Sequence, residues 1–231
     1  MKFRRFAVDA SKFNLIDKVL NSSHGNSFRP QAGKAIPDMC VMEAASWVTG
    51  RESKTDHPEC TDGHLTSFCI SMNDALSEGS WFDEEKRVYV SADELRAKYL
   101  KPLIPAIINT RLIVHYVSPE EKAKGYLPGT VIDIPRSEQT TTLLNQLMNT
   151  HHSWMDELRH QSLDVVEQKL TERTDRIRAL AKSMKQDIAD YRVAQGWSRP
   201  RPTTLLEDLA DQEACEVIFA QKMPVTESVP S

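Results

Sequence analysis

Residues 39–76 read MCVMEAASWVTGRESKTDHPECTDGHLTSFCISMNDAL. Val41, Ala44, Ala45 and Val48 recur at steps of three and four, which places them on one helical stripe. The pattern predicts a helix beginning near Met39, capped by Asp38 and ended by Gly50. Asp56 stands just ahead of Pro58, a helix-start signature. Leu65, Phe68, Cys69, Met72 and Leu76 repeat the same steps, predicting a second helix over about Gly63–Leu76. Two short amphipathic helices bury little by themselves, so a third element must complete their core.

Upstream, Phe3, Phe6, Phe13, Leu15 and Ile16 alternate with charge and predict a strand or short helix. Residues 21–37 are rich in Ser, Asn, Gly and Pro and read as a loop. Downstream, Gly79–Lys86 reads as a break and Arg87–Val90 as a brief extended run. Ser91 followed by Glu94 forms a capping box for a helix reaching about Tyr99. Pro102 and Pro105 then interrupt it, with Pro105 in the first turn of a resumed helix. Arg111–Val117 and Thr130–Ile134 are β-rich and are expected to pair as a small two-stranded element.

Residues 137–194 contain neither glycine nor proline. Leu143, Leu144, Leu147 and Met148 follow a helical period, and a polar stretch near His160 interrupts it. Leu163, Val166, Leu170, Ile177, Leu180, Met184 and Tyr191 then form an imperfect heptad seam, with Arg173 and Asp187 in its missing positions. The expected fold is therefore mainly α. It comprises a helical module with minor strands (1–136), a long heptad-like segment (137–195), a linker (196–202), a terminal helix (203–221) and a loose tail (222–231).

The 231 residues suit one domain with an appendage or two small ones. Net charge is -4, which argues against a dominant nucleic-acid footprint. Lys2, Arg4 and Arg5 form a basic patch without a supporting aromatic platform. No apolar run approaches about 18 residues, so no membrane span is expected. The basic first residues lack the apolar core of a secretory signal. Four cysteines at irregular spacing suit a reducing cytoplasm better than a disulfide framework.

Residues able to carry chemistry concentrate in the opening stretch. Cys40, His57, Cys60 and Cys69 offer the thiolate and imidazole donors that zinc prefers, with Glu43 and His64 as alternative ligands. Without such a metal no cofactor is expected, and the same side chains become buried thiols and a hydrogen-bonding histidine. Cys40 or Cys60 with His57 could also serve a hydrolase, oriented by Asp56 or Glu43, but no oxyanion motif accompanies them. Gly33-Lys34 lacks the spacing of a phosphate loop. Trp197 sits among basic residues and reads as a packed linker aromatic or a docking group.

Several pieces carry a resemblance. They are Gly33-Lys34, Cys40-Val41-Met42-Glu43-Ala44, Gly50, Asp56-His57-Pro58-x-Cys60, Asn73-Asp74-Ala75-Leu76 and Lys101-Pro102-Leu103-Ile104-Pro105. In that order they resemble a family of small uncharacterised proteins of actinobacteria and their phages. The resemblance covers about a third of the chain. It implies a compact helical module and a bacterial or viral source, without an activity. Here Cys60 is followed by Thr61-Asp62-Gly63-His64, where that family is more apolar.

The seam carries the functional expectation. Its stripe spans about 28 residues, or roughly 42 Å of helix. A module of about 136 residues has a radius of gyration near 14 Å. Either the helix packs on the chain's own domain, or part of the seam reaches beyond it and is covered by a protein partner, a second copy or the Leu205–Phe219 helix folding back. The expected role is a non-enzymatic interaction or structural protein of the cytoplasm, and the resemblance implies that a phage-infected host or a virion could be its setting.

Overall fold

The computed structural model describes residues 1–18, 20, 39–50, 56–76, 79–150, 158 and 161–197. These belong to one compact unit, Met1–Ser198. The expected terminal helix, with its Leu205–Phe219 stretch, and the expected tail lie outside the described residues. The protein is mainly helical. In chain order the elements are β1 (Lys2–Phe3), α1 (Ala10–Leu15), α2 (Val41–Val48), α3 (Gly63–Ala75), β2 (Ser80–Asp83), β3 (Val88–Ser91), α4 (Ala92–Leu95), α5 (Ile104–Ile107), β4 (Leu112–Tyr116), α6 (Pro119–Ala123), β5 (Val131–Ile132), α7 (Glu138–Asn149) and α8 (Leu163–Ala194).

The opening helical pair forms as its periodicity requires. Helix α2 ends at Gly50, whose φ of 81° takes the left-handed conformation that glycine adopts without strain. Its cap is Cys40, and the anticipated cap Asp38 lies outside the described residues. Helix α3 is capped by Asp62, whose carboxylate accepts from His64 N at 2.9 Å. Asp56 therefore belongs to the loop before the helix. Beyond β3, a π-type turn at Arg96–Leu100 and a 3-10 turn at Lys101–Leu103 connect α4 to α5. Pro102 has no amide to continue the α ladder, so the turns change pitch there. Pro105 occupies the first turn of α5. The guanidinium of Arg96, 2% exposed, donates to the carbonyls of Asn73 and Leu76 and pairs with Asp93 at 2.6 Å. A buried cation thus closes the carbonyl end of α3.

Strands β4 and β5 pair as anticipated, with Leu112 opposite Ile132. The first residues of the chain extend this sheet, since β1 lies antiparallel on the other side of β4. A second sheet has its first strand in the stretch expected as a break and its second on the expected extended run. There β2 and β3 form an antiparallel hairpin, with Trp81 opposite Val90 and Phe82 opposite Tyr89.

Helix α8 supplies the missing third element. Leu163, Val166, Leu170, Ile177, Leu180 and Met184 are all buried in the main core, together with residues of α2, α3, α5 and α7. Tyr191 packs with Trp197, Phe3 and Tyr126 in a smaller cluster over the β1–β4–β5 sheet. Trp197 is accordingly a packed aromatic. The expected external cover of the seam is not needed, because the chain covers it internally.

The polar seam positions explain how. Asp187 accepts from Ser137 N at 3.1 Å, at the start of α7. Arg173 donates to Thr150 Oγ1 at 3.1 Å, at its end. Between them Thr140 and Ser183 share a hydroxyl hydrogen bond of 2.6 Å. Numbers rise along α7 as they fall along α8, so the helices run antiparallel. Fourteen residues of α8 span about 21 Å, enough to bracket α7 from end to end. The anion sits at the positive end of the α7 dipole and the cation at its negative end.

Ile177→Ala should therefore destabilise the protein by about 2–5 kcal/mol in urea unfolding, without changing native mass by light scattering. Asp187→Leu should cost about 1–2 kcal/mol, whereas Leu at the exposed Asp190 should stay within about 0.5 kcal/mol.

Candidate functional site

The zinc set anticipated from sequence does not assemble. Cys40 is the N-cap of α2, and its Sγ accepts from Glu43 N at 3.5 Å. Glu43 returns the bond through Oε2, 2.9 Å from Cys40 N. The two form a buried capping box with sulfur in place of a hydroxyl. Cys69 is buried on the core face of α3. His64, five residues before it, emerges about 140° around the helix. Cys60 is buried, with its Sγ 3.8 Å from Thr61 Oγ1. The His57 side chain is 68% exposed and lies 3.7 Å from Asp56. No three His, Cys, Asp or Glu residues among those described converge as a metal site. Cys40, His57, Cys60 and Cys69 thus correct the tentative ligand set, and neither Glu43 nor His64 repairs it.

The same burial removes the nucleophile reading from Cys40, and it quiets the thiol of Cys69 as well. Desolvation pushes Cys40 and Cys69 from 9.0 up to about 12, and the Glu43 carboxylate adds to the rise at Cys40. Both are neutral thiols at physiological pH.

His64 belongs to a cleft of about 350 Å³ between the start of α3, the β4–β5 sheet and α8. Its Nδ1 lies 3.3 Å from Asp62 Oδ1 and 3.1 Å from Arg136 Nη2. Arg136 also reaches Asp62 Oδ2 at 3.5 Å. Arginine only donates, so its contact needs a lone pair on Nδ1, whereas the Asp62 contact needs a proton there. Arg111, Asp133 and Asp187 also line the cleft. The hydroxyl of Thr110 is engaged, donating to Ile107 O and accepting from Asp62 N. The cleft mixes carboxylates with guanidiniums and presents no activated nucleophile among the described lining residues.

The β2–β3 hairpin is a different kind of surface. Its inner face packs on the core through Trp81, whose Nε1 donates to Leu158 O at 3.2 Å. Its outer face carries Phe82, 43% exposed, and Tyr89, 71% exposed, with ring centroids 5.2 Å apart. Val88, 49% exposed, lies opposite Asp83 and so on the other face of the hairpin. The turn between the strands is charged, and Asp83 secures it through Lys86 N and Nζ, each at 2.9 Å. Sequence reasoning passed over these aromatics. The available signal was SWFD and VYVS, two short alternating runs four residues apart.

No family model, curated protein or solved structure matches the chain. No helix among the described residues is long and apolar enough to cross a membrane.

The raised thiols have a consequence for stability. Folding holds the protons of Cys40 and Cys69 more tightly than the unfolded chain does. Their contribution is complete below pH 9.0 and is lost as pH rises toward about 12. Urea unfolding midpoints should therefore fall across that window, and Cys40→Ser with Cys69→Ala should reduce the slope. At pH 8 a thiol reagent should label these two residues only after denaturation.

Proposed function

We propose that the protein is a non-enzymatic interaction protein that receives a protein partner on the β2–β3 hairpin. The observation that carries this reading is the Phe82–Tyr89 pair. Two aromatic rings stand outward on a sheet whose other face is anchored in the core. Apolar surface presented on a rigid, polar-rimmed element suits a docking role. Helix α8 acts in this reading as a structural spine, because its seam is buried in the chain itself. The thiols serve packing and capping, which supports binding over catalysis.

The resemblance to small proteins of actinobacteria and their phages suggests the setting. A bacterial cytoplasm, including that of an infected host, or a phage assembly would supply the partner.

Photo-crosslinking in such cells tests the role. A benzophenone side chain at position 82 or 89 should yield discrete adducts. The same group at Leu127, exposed outside the hairpin, should not. Identical adduct patterns at all three positions would remove the hairpin as the docking site.

A further inference from the structure

We infer that the cleft between α3, the β4–β5 sheet and α8 binds a small organic cation, an ammonium group carried on a short apolar body. The site is separate from the hairpin and does not depend on it. The observation that carries the inference is Asp187. This residue is 9% exposed and lines the cleft. Its Oδ2 accepts from Ser137 N at 3.1 Å. Its Oδ1 has no hydrogen-bond partner, and the carboxylate has no ion pair, among the described residues. Oδ1 is nonetheless not sealed from solvent. The little surface that Asp187 keeps therefore opens on the cleft. A buried carboxylate is ordinarily matched by a cation, because its loss of hydration is otherwise uncompensated. The positive end of α7 offsets part of the charge and leaves one oxygen for a ligand.

The chain's own cations do not supply the match. Arg136 precedes Ser137 in sequence, but its guanidinium is engaged elsewhere, 3.5 Å from Asp62 Oδ2 and 3.1 Å from His64 Nδ1. Arg111 lines the cleft and makes no ion pair among the described residues. The same contacts argue against an anionic ligand. Asp62 already caps the positive end of α3 and holds Arg136. With His64 counted as neutral, Asp62, Asp133 and Asp187 outnumber Arg111 and Arg136 in the lining by one charge. A metal ion fits less well, since it needs several oxygen or nitrogen ligands and no three such side chains converge among the described residues.

The walls set the rest of the ligand. Leu112, Ile132, Ile134, Met184 and Ile188 give the cleft an apolar lining. Its volume of about 350 Å³ lies at the lower end of small-molecule sites. An ammonium that donates to Asp187 Oδ1 would lay a body of about four or five carbons along these side chains. A free alkylamine, an apolar amino acid and a lysine side chain all present this chemistry.

Amide-detected nuclear magnetic resonance titration of the full chain tests the site. 3-Methylbutylamine should shift resonances around Asp187 with a saturable dissociation constant in the low millimolar range, as a ligand of about six heavy atoms allows. 3-Methylbutanol, of the same shape without the charge, should bind about tenfold more weakly or worse. Leucine and Nα-acetyl-lysine amide, titrated in parallel, rank the three sources of the ammonium. Asp187→Asn keeps an oxygen for Ser137 N and loses the charge. It should retain the native circular dichroism and raise the dissociation constant for the amine about tenfold or more. Asp190→Asn, exposed on the same helix, should leave it unchanged. Equal affinity for amine and alcohol, unchanged affinity in Asp187→Asn, or no saturable shift up to about 50 mM amine overturns the inference. If Asp187→Asn does not fold, the amine and alcohol titrations of the native chain decide alone.

Discussion

The antiparallel contact of α7 with α8 is the constraint on which the remaining structure depends. Apolar residues supply most of its burial, but such a surface can slide by a turn with little loss. The polar groups remove that freedom. Asp187 meets the backbone amide of Ser137, which caps the start of α7, Arg173 meets the hydroxyl of Thr150, which caps its end, and Thr140 bonds to Ser183 between them. A shift of one turn along α8 would leave these buried donors and acceptors unpaired, at a cost of about 1–3 kcal/mol each. With α8 held in place, its stripe becomes the floor for α2, α3 and α5. Its last turns then meet Trp197 and the three-stranded sheet.

The same economy runs through the opening helices. Charged and sulfur-bearing groups that suggest chemistry in the sequence complete backbone hydrogen bonds in the fold. Cys40 and Glu43 close the start of α2. Asp62 closes the start of α3, and Arg96 closes its end. A short helix has a large share of unsatisfied amides and carbonyls. In a core made of short helices, many polar side chains are drawn into capping. Desolvation then keeps the thiols of Cys40 and Cys69 protonated.

The hairpin is the counterpart of this inward-turned design. Trp81 ties its inner face to the body, and the alternation of the strand turns Phe82 and Tyr89 outward as a geometric necessity. A hairpin free on both faces would be marginal in water, but one anchored by a buried indole holds its outer residues in fixed positions. That rigidity is what a small docking surface needs, since little ordering entropy remains to be lost on binding.

The sequence by itself determined the element types where period and punctuation agreed. The stripe of α2 with Gly50 behind it, the run from Leu65 to Met72, the Ser91–Glu94 box and the imperfect heptads from Leu163 are local statements, and local propensity suffices to write them. The β4–β5 pairing was legible for the same reason. Only the tertiary structure decided which face met which. Arg173 and Asp187 look like flaws in a seam until α7 lies between them, because a polar residue's role depends on a partner distant in sequence. Cys40, His57, Cys60 and Cys69 look like ligands by composition, but the rotation of α3 and the exposure of His57 send them apart. The short β2 strand carries too few residues for its alternation to stand out from a turn. It exists because Trp81 finds a core to enter, and that core is assembled from residues throughout the chain.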